Sequence, residues 1–253
     1  MKQCEKPKVS FICPVYNGCP FIAQTLESLR AQTLKDIEVI VIDDGSTDSL
    51  PELMEYYTKV DKRIKYIKFK DNKGAARCRN YGDKIAQADI VCVTDCGDSY
   101  PKDKASLVYN YFKKHPKIDV FSTGVTGTDE MGFPIFTQVT RVFKGAPGEK
   151  PNISHPTTAY RKWVALKYPY RETSKATDNY EAFFLTLARN GIRFGATNKI
   201  YCRKPEMGKY RHCRDIAEAR RIKYAVYKEF NIHIPDWLEA YSPKKQKGSL
   251  ETT

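Results

Sequence analysis

The sequence predicts an α/β fold, a mostly parallel sheet flanked by helices, on three observations. Short runs rich in Val, Ile and Phe alternate with segments of helical period through the first half of the chain. One of those runs, Ile90 to Thr94, is apolar throughout, as a strand covered on both faces must be. Polar clusters with turn chemistry follow directly on the first, second and fourth runs, where an open parallel sheet places its ligand-binding edge.

The elements follow in order. Val9 to Pro14 reads as the first strand, and Phe21, Ile22, Thr25, Leu26 and Leu29 then recur at helical spacing. Glu38 to Ile42 is the second strand, ended by Asp43-Asp44-Gly45. Residues 51 to 59 read as a helix and Lys65 to Phe69 as a third strand. Ala75, Cys78, Gly82 and Ile85 line one face of a helix that starts at Gly74. Ile90 to Thr94 is the fourth strand, and a helix covers about 102 to 115. A further strand-like run, Asp119 to Gly124, leads to a hairpin near Asp129 to Pro134 and a Gly/Pro loop, KGAPGEKPN, at 144 to 152. A helix over 178 to 190, strands at Arg193 to Ala196 and Lys199 to Arg203, a basic helix over 213 to 230 and a solvated tail complete the reading. The organisation expected is one domain over 1 to 240, in two halves that meet near 101, with a flexible tail at 241 to 253.

Composition narrows the function. The chain has 253 residues, 41% apolar and 12% aromatic, which fits a globular protein and excludes disorder or a fibrous repeat. Lys and Arg number 43 against 30 Asp and Glu, a net charge of +13 that points to an anionic partner without choosing it. No apolar run approaches the roughly 18 residues needed to span a bilayer. The polar N-terminus, MKQCEKPK, lacks the apolar core of a signal peptide, so the expected location is the cytoplasm, with peripheral contact at the membrane face. Eight cysteines form no CxxC pair and no zinc spacing, and read as reduced structural thiols. Eight basic residues against two acidic ones between Arg141 and Lys175 mark that stretch as the place for an anionic partner.

The chemistry lies in the polar clusters. Pro14-Val15-Tyr16-Asn17, Asp43-Asp44-Gly45-Ser46 and Asp95-Cys96-Gly97-Asp98 leave three strands that, if parallel, converge on one edge. Asn72-Lys73-Gly74, leading into a helix with Arg77 and Arg79, adds backbone N–H groups and guanidinium forks. Together these read as a site for a nucleoside diphosphate.

Four segments in order, VSFICPVYNG (9 to 18), IEVIVIDDGSTD (37 to 48), NKGAARCRNYG (72 to 82) and IVCVTDCGDSYP (90 to 101), make the chain resemble the family 2 glycosyltransferases, inverting enzymes that use nucleotide-activated sugars. The resemblance implies a GT-A, Rossmann-like sheet whose half to 101 binds the nucleotide and whose loop-rich half over 102 to 240 binds the acceptor. It implies a nucleoside-diphosphate sugar donor, most often a UDP-sugar, and a saccharide or lipid-linked glycan acceptor in surface polysaccharide assembly.

Residue by residue, it places Pro14, Tyr16, Asn17, Asp44, Arg79 and Asp95 at the nucleotide, where Tyr16 offers a ring face to the base. Asp44 can accept from the imino N–H of uracil, thymine or guanine, which neutral cytosine lacks. Tyr16 as a strand-end aromatic and Asp43-Asp44-Gly45 as a plain turn are the competing structural explanations. Asp95 and Asp98 match a motif that usually reads Asp-x-Asp-Asp and holds a divalent metal, Mn²⁺ or Mg²⁺. Here Gly97 stands where the second Asp usually coordinates, and the segment also has turn chemistry.

Downstream, Ala176-Thr177-Asp178 resembles the family's base motif. Asp178 is therefore the candidate general base, with Glu181 as the alternate, although Asp178-x-x-Glu181 is also a helix-capping pattern. His155, Arg203 and His212 are further candidates for phosphate or acceptor contact. Two readings from other classes compete: a nucleotide-sugar binding module without catalysis, and a basic protein whose partner or acceptor is nucleic acid. The latter rests on charge alone, since no nucleic-acid-binding motif is present.

Overall fold

The computed structural model describes residues 6 to 239, apart from 130, 145, 147, 150, 151, 175–178 and 206–215, together with residue 242. Its centre is β1 (Val9–Val15), paired in parallel with β2 (Ile37–Asp43) on one side and β4 (Ile90–Val93) on the other. β3 (Ile64–Lys68) extends the parallel part beyond β2. The sheet order is β3-β2-β1-β4-β7-β5-β6, with β8 paired to β5 off that path. β7 (Ala159–Arg161) is antiparallel to both β4 and β5 (Val120–Thr128). β6 (Pro134–Gln138) is antiparallel to β5, and β8 (Phe194–Pro205) parallel to it.

Strand alternation decides which helix lies on which face. Val9, Phe11, Cys13 and Val15 point to the face covered by α1 (Cys19–Arg30), α2 (Leu50–Val60) and α4 (Lys104–Lys114), where Ile22, Leu26, Leu29, Met54, Val108 and Phe112 are buried. Ile12, Ile40 and Ile42 point to the opposite face, under α3 (Ala75–Ile85). Each fully buried Leu or Ile contributes roughly 1.5–3 kcal/mol, so two covered faces explain why these strands are continuously apolar. Contact under α3 is close: a Cβ on Gly82 would lie 2.6 Å from Ile12 Cγ2. The chain lays β1, β2 and β3 outward and then returns through α3 to put β4 on the far side of β1. The order therefore reverses between β1 and β4, and the crevice at their carboxyl ends is where such sheets bind ligands.

The second half departs from the sequence reading in three places. Residues 141 to 175 are not simply loop. They contain a 3₁₀ turn at His155–Thr157, the strand β7 inserted into the sheet, and α5 (Lys162–Lys167). The strands read at 193–196 and 199–203 are one strand, β8, whose pairing with β5 shifts register near Thr197-Asn198. The basic character of 141 to 175 is also partly internal. Arg161 donates to the carbonyls of Ile118, Phe112 and Pro116, Lys162 to that of Ala86, and Arg171 pairs with Glu229 at 2.6 Å.

α6 (Tyr180–Arg189) and α7 (Ile216–Glu229) cover the same face as α3 and α5, with Val226 and Tyr227 buried and Ile222 packed beside them. The basic helix thus docks on the domain, as its apolar stripe implies. A short α8 (Asp236–Glu239) follows. The expected tail lies almost wholly outside the described residues. No described helix is long and apolar enough to cross a membrane, and the six described cysteines are all free thiols.

Buried polar groups lock the layers. Lys104 donates to Thr123 Oγ1 and to the Thr157 carbonyl, tying α4 to β5 and the 3₁₀ turn. Asp83 on α3 accepts from the Tyr160 hydroxyl of β7 at 3.0 Å. Burial pushes the Asp83 carboxyl up to about 7, with the Tyr160 hydrogen bond, Arg79 and Lys162 opposing the shift. The folded protein then keeps a proton that the unfolded chain releases near pH 4. This contribution to stability is complete below that pH and is lost as pH rises through about 7. Asp83→Asn should therefore gain stability over wild type on going from about pH 5 to about pH 8, by roughly 2 kcal/mol in urea unfolding. Parallel pH profiles for the two proteins would contradict this.

Candidate functional site

The reversal point between β1 and β4 gathers the polar clusters, and each is fixed by its own hydrogen bonds. Asn17 follows β1 in the left-handed region (φ 49°), which Asn tolerates better than most residues. Its N–H donates to Ser46 Oγ (2.9 Å) and its Oδ1 accepts from the Thr47 N–H (2.8 Å), joining the first loop to the second. Asp43 accepts from the Ser46 N–H and from the Tyr66 hydroxyl. Pro14 and Tyr16 are half-buried beside them.

Asp44 is buried, and its two carboxylate oxygens accept the Lys73 and Gly74 N–H groups, each at 2.8 Å. Gly74, at φ 98°, is the cap from which α3 starts. The carboxylate thus organises the loop that leads into the helix, a role beyond the plain turn and distinct from base recognition.

Arg79, one turn into α3, is 3% exposed, and it donates to Asp95 Oδ1 at 2.6 Å. A guanidinium this deeply buried needs a paired anion, and Asp95, leaving β4, supplies it. The neighbours on α3 serve other ends. Asn80 exchanges hydrogen bonds with Tyr170 and donates to Glu172, while Arg77 is exposed over the Phe69 ring.

The turn after Asp95 is clamped from α1. The Thr25 hydroxyl accepts the Gly97 N–H (2.9 Å) and donates to the Asp98 carbonyl (2.7 Å). Gly97 has φ 94°, a conformation costly for a side-chain-bearing residue. Asp98 does not face the crevice. It is 3% exposed and its carboxylate accepts from the buried Cys202 thiol of β8 at 3.5 Å. Burial raises its pKa, with Lys204 opposing and Asp95 adding to the shift. Asp95 and Asp98 feel one another's charge but are differently held. Asp95 alone lines the cleft, and its two oxygens face Arg79 and, at 3.8 Å, Lys204. No group of three or more His, Cys, Asp or Glu side chains placed to hold a metal occurs among the described residues. Among the described residues, the side chains at this turn do not fit a divalent cation, which needs several convergent oxygen ligands.

The cleft, about 370 Å³, runs from Asp95 and Lys204 past Ser154 and His155 to Tyr180, Glu181 and Lys223. His155 forms part of its wall. Its ring stacks on Tyr180 and its Nε2 lies 2.9 Å from the Tyr170 hydroxyl. Glu181, near the start of α6, meets Lys223 of α7 at 3.1 Å and accepts from the Tyr227 hydroxyl. The residue capping α6 is Asn179, with no side-chain capping bond, so Glu181 is held by α7 and not by a capping box. Arg203 is exposed, and its backbone pairs with Ser99. Asp178 and His212 lie outside the described residues.

Two lysines of the cleft, Lys204 and Lys223, were not singled out by motif. Strand parity carried a signal for the first, since Lys204 shares a face of β8 with buried Cys202. Lys223 reaches the cleft through helix docking, which leaves no local mark.

Comparison with known proteins agrees with this geometry. Residues 10–200 match the family model described as glycosyl transferase family 2. The chain is 44% identical over 168 residues to the uncharacterized glycosyltransferase EpsJ of Bacillus subtilis (strain 168), an alignment covering 65% of this chain and 48% of EpsJ. It spans less than half the length of the curated relatives it matches. Among solved structures, TarS 1-349 of S. aureus in complex with UDP superposes with a TM-score of 0.67 at 20% identity, over 97% of this chain and 75% of that one. The mannosyltransferase PcManGT of Pyrobaculum calidifontis, in complex with GDP-Man and Mn²⁺, gives 0.65 at 17% identity, over 98% and 76%. These likenesses show the GT-A fold.

The structural role of Asp44 can be tested without any ligand. Asp44→Asn presents an amide N–H₂ to one of two backbone N–H donors, and should cost about 1–3 kcal/mol in urea unfolding. A variant as stable as wild type would mean that the carboxylate does not hold this loop.

Proposed function

The chain belongs to glycosyl transferase family 2, and from that premise we propose that it transfers a sugar with inversion from a nucleoside-diphosphate donor, a UDP-sugar, to a hydroxyl of a saccharide or lipid-linked glycan in surface polysaccharide assembly. The observation that carries this is the crevice at the β1/β4 reversal. Buried Arg79 grips Asp95 there, at the mouth of a cleft that also presents lysines to an anion.

The base lies against Tyr16, with the loops from β1 and β2 as its walls. The cross-links from Asn17 to Ser46 and Thr47, and from Asp44 to Lys73 and Gly74, hold those loops before the donor arrives, so little ordering is left for binding. The diphosphate lies towards Asp95 and Lys204, and the acceptor enters past His155 and Tyr180. Anionic groups of the acceptor, or of a membrane that carries it, meet exposed basic residues of 141 to 175 such as Arg141 and Lys144. Arg203 and His212 are the candidates to close over the same diphosphate.

A general base takes the acceptor hydroxyl proton as the oxygen attacks the anomeric carbon. The bond from that carbon to the diphosphate oxygen breaks on the opposite side, and the nucleoside diphosphate leaves with the electron pair. Asp178 is the base. Glu181, the alternate, is engaged by Lys223 and Tyr227, contacts that an incoming acceptor hydroxyl would have to displace.

The test is release of nucleoside diphosphate from a panel of UDP-, GDP-, TDP- and CDP-sugars by wild type, Asp178→Asn and Glu181→Gln. One donor class, the UDP-sugars, should turn over, with the rate falling about 10²–10⁴-fold in Asp178→Asn at unchanged melting temperature. A greater loss in Glu181→Gln would exchange the two roles. Binding of a donor without turnover on any acceptor would favour the non-catalytic module, and absence of both would overturn the proposal.

A further inference from the structure

Departure of a nucleoside diphosphate is eased by positive charge at its phosphates. The turn that ordinarily supplies metal ligands lacks them in this chain. Gly97 has no side chain to offer, and Asp98 is turned inward onto Cys202. The Cys96 thiol points at the Gly18 carbonyl, and sulfur is in any case a poor ligand for a hard cation. The remaining carboxylate, Asp95, has Arg79 at one oxygen and Lys204 at the other, so a divalent ion beside it would meet two positive charges at short range.

At this point two cations face the single Asp95 carboxylate. Arg79 is buried, whereas the Lys204 side chain is 32% exposed and lines the cleft, so Lys204 is the cation that can reach a ligand. Its position is also secured from both sides. Arg203 and Ser99 exchange backbone hydrogen bonds of 2.9 and 2.8 Å, Cys202 holds Asp98, and Lys204 itself is in register with Gly127 of β5. A backbone held this firmly brings the ammonium to 3.8 Å from Asp95, within reach of a phosphate oxygen in the cleft, with Asp95 remaining paired to Arg79.

Resting on the nucleotide-sugar reading above, we infer that Lys204 takes the place of a divalent metal at the diphosphate, and that this chain binds its nucleoside diphosphate without metal. Lys204 contacts the β-phosphate and neutralises the charge that gathers there as the sugar departs. Arg79 is a positioning residue that keeps Asp95 from competing for the ammonium.

The test is calorimetric titration of the full chain with UDP and with GDP, each in EDTA and in Mn²⁺. The expected result for wild type is binding of one diphosphate with affinities that agree within about threefold in the two conditions. Lys204→Met should weaken that diphosphate about 10–100-fold in EDTA, change the corresponding monophosphate much less, and keep the wild-type melting temperature. Lys204→Arg should retain most of the affinity. Wild-type binding that EDTA abolishes and Mn²⁺ restores would overturn the inference and leave the nucleotide-sugar reading standing. So would a Lys204→Met protein that binds the diphosphate as tightly as wild type. Failure of both diphosphates to bind wild type under either condition would remove the nucleotide-sugar reading and the inference with it.

Discussion

The ion pair between Arg79 and Asp95 is the constraint on which the rest of the site depends. A guanidinium almost wholly removed from water would be prohibitive without an anion, so the end of β4 and the first turns of α3 must stay together. That requirement reaches outward. α3 can start where it does because Asp44 accepts the two N–H groups that precede it, and Asp44 is placed by β2. On the other side Asp95 faces Lys204, and β8 is joined to the same turn through Cys202 and the Arg203 backbone. Elements from both halves of the chain therefore meet at one carboxylate.

Around that point, buried polar groups act mainly on one another. Asn17, Asp43, Asp44, Ser46, Thr25 and Asp98 make the hydrogen bonds that shape loops, which is the usual fate of polar groups removed from water. Among the described residues the charged and titratable groups that line the cleft are few: Asp95, His155, Tyr180, Glu181, Lys204 and Lys223. A scaffold so cross-linked presents those groups in fixed positions, and the cost of ordering them falls on folding instead of on binding.

The first half of the molecule was legible in the sequence because its signals are local and repeated. Strands covered on both faces read as apolar runs, and of the residues named by the period of α1, Ile22, Thr25, Leu26 and Leu29 are buried and Phe21 is half-buried. The second half was less legible for physical reasons. β7 is three residues long, too short to show a period, and forms because β4 and β5 both offer it a partner. β8 looked like two strands because Thr197-Asn198 interrupts its apolar pattern, while the ladder to β5 continues past the irregularity. In the site, motif spacing brought Tyr16, Asn17, Asp44, Arg79 and Asp95 to one edge, but it could not say which way a side chain turns. Asp98 faces inward because Cys202, over a hundred residues away, receives it. Glu181 is engaged because α7 brings Lys223 and Tyr227 to it.

The central claim, that the β1/β4 crevice is built for a nucleoside diphosphate held by protein cations, is tested most directly by a crystal structure of this chain grown with UDP and Mn²⁺. The expected result is uracil against Tyr16, with the diphosphate between Asp95 and the Lys204 ammonium and no manganese at the Asp95–Asp98 turn. A nucleotide bound away from this crevice, or manganese coordinated by Asp95 with Lys204 displaced from the phosphates, would contradict it.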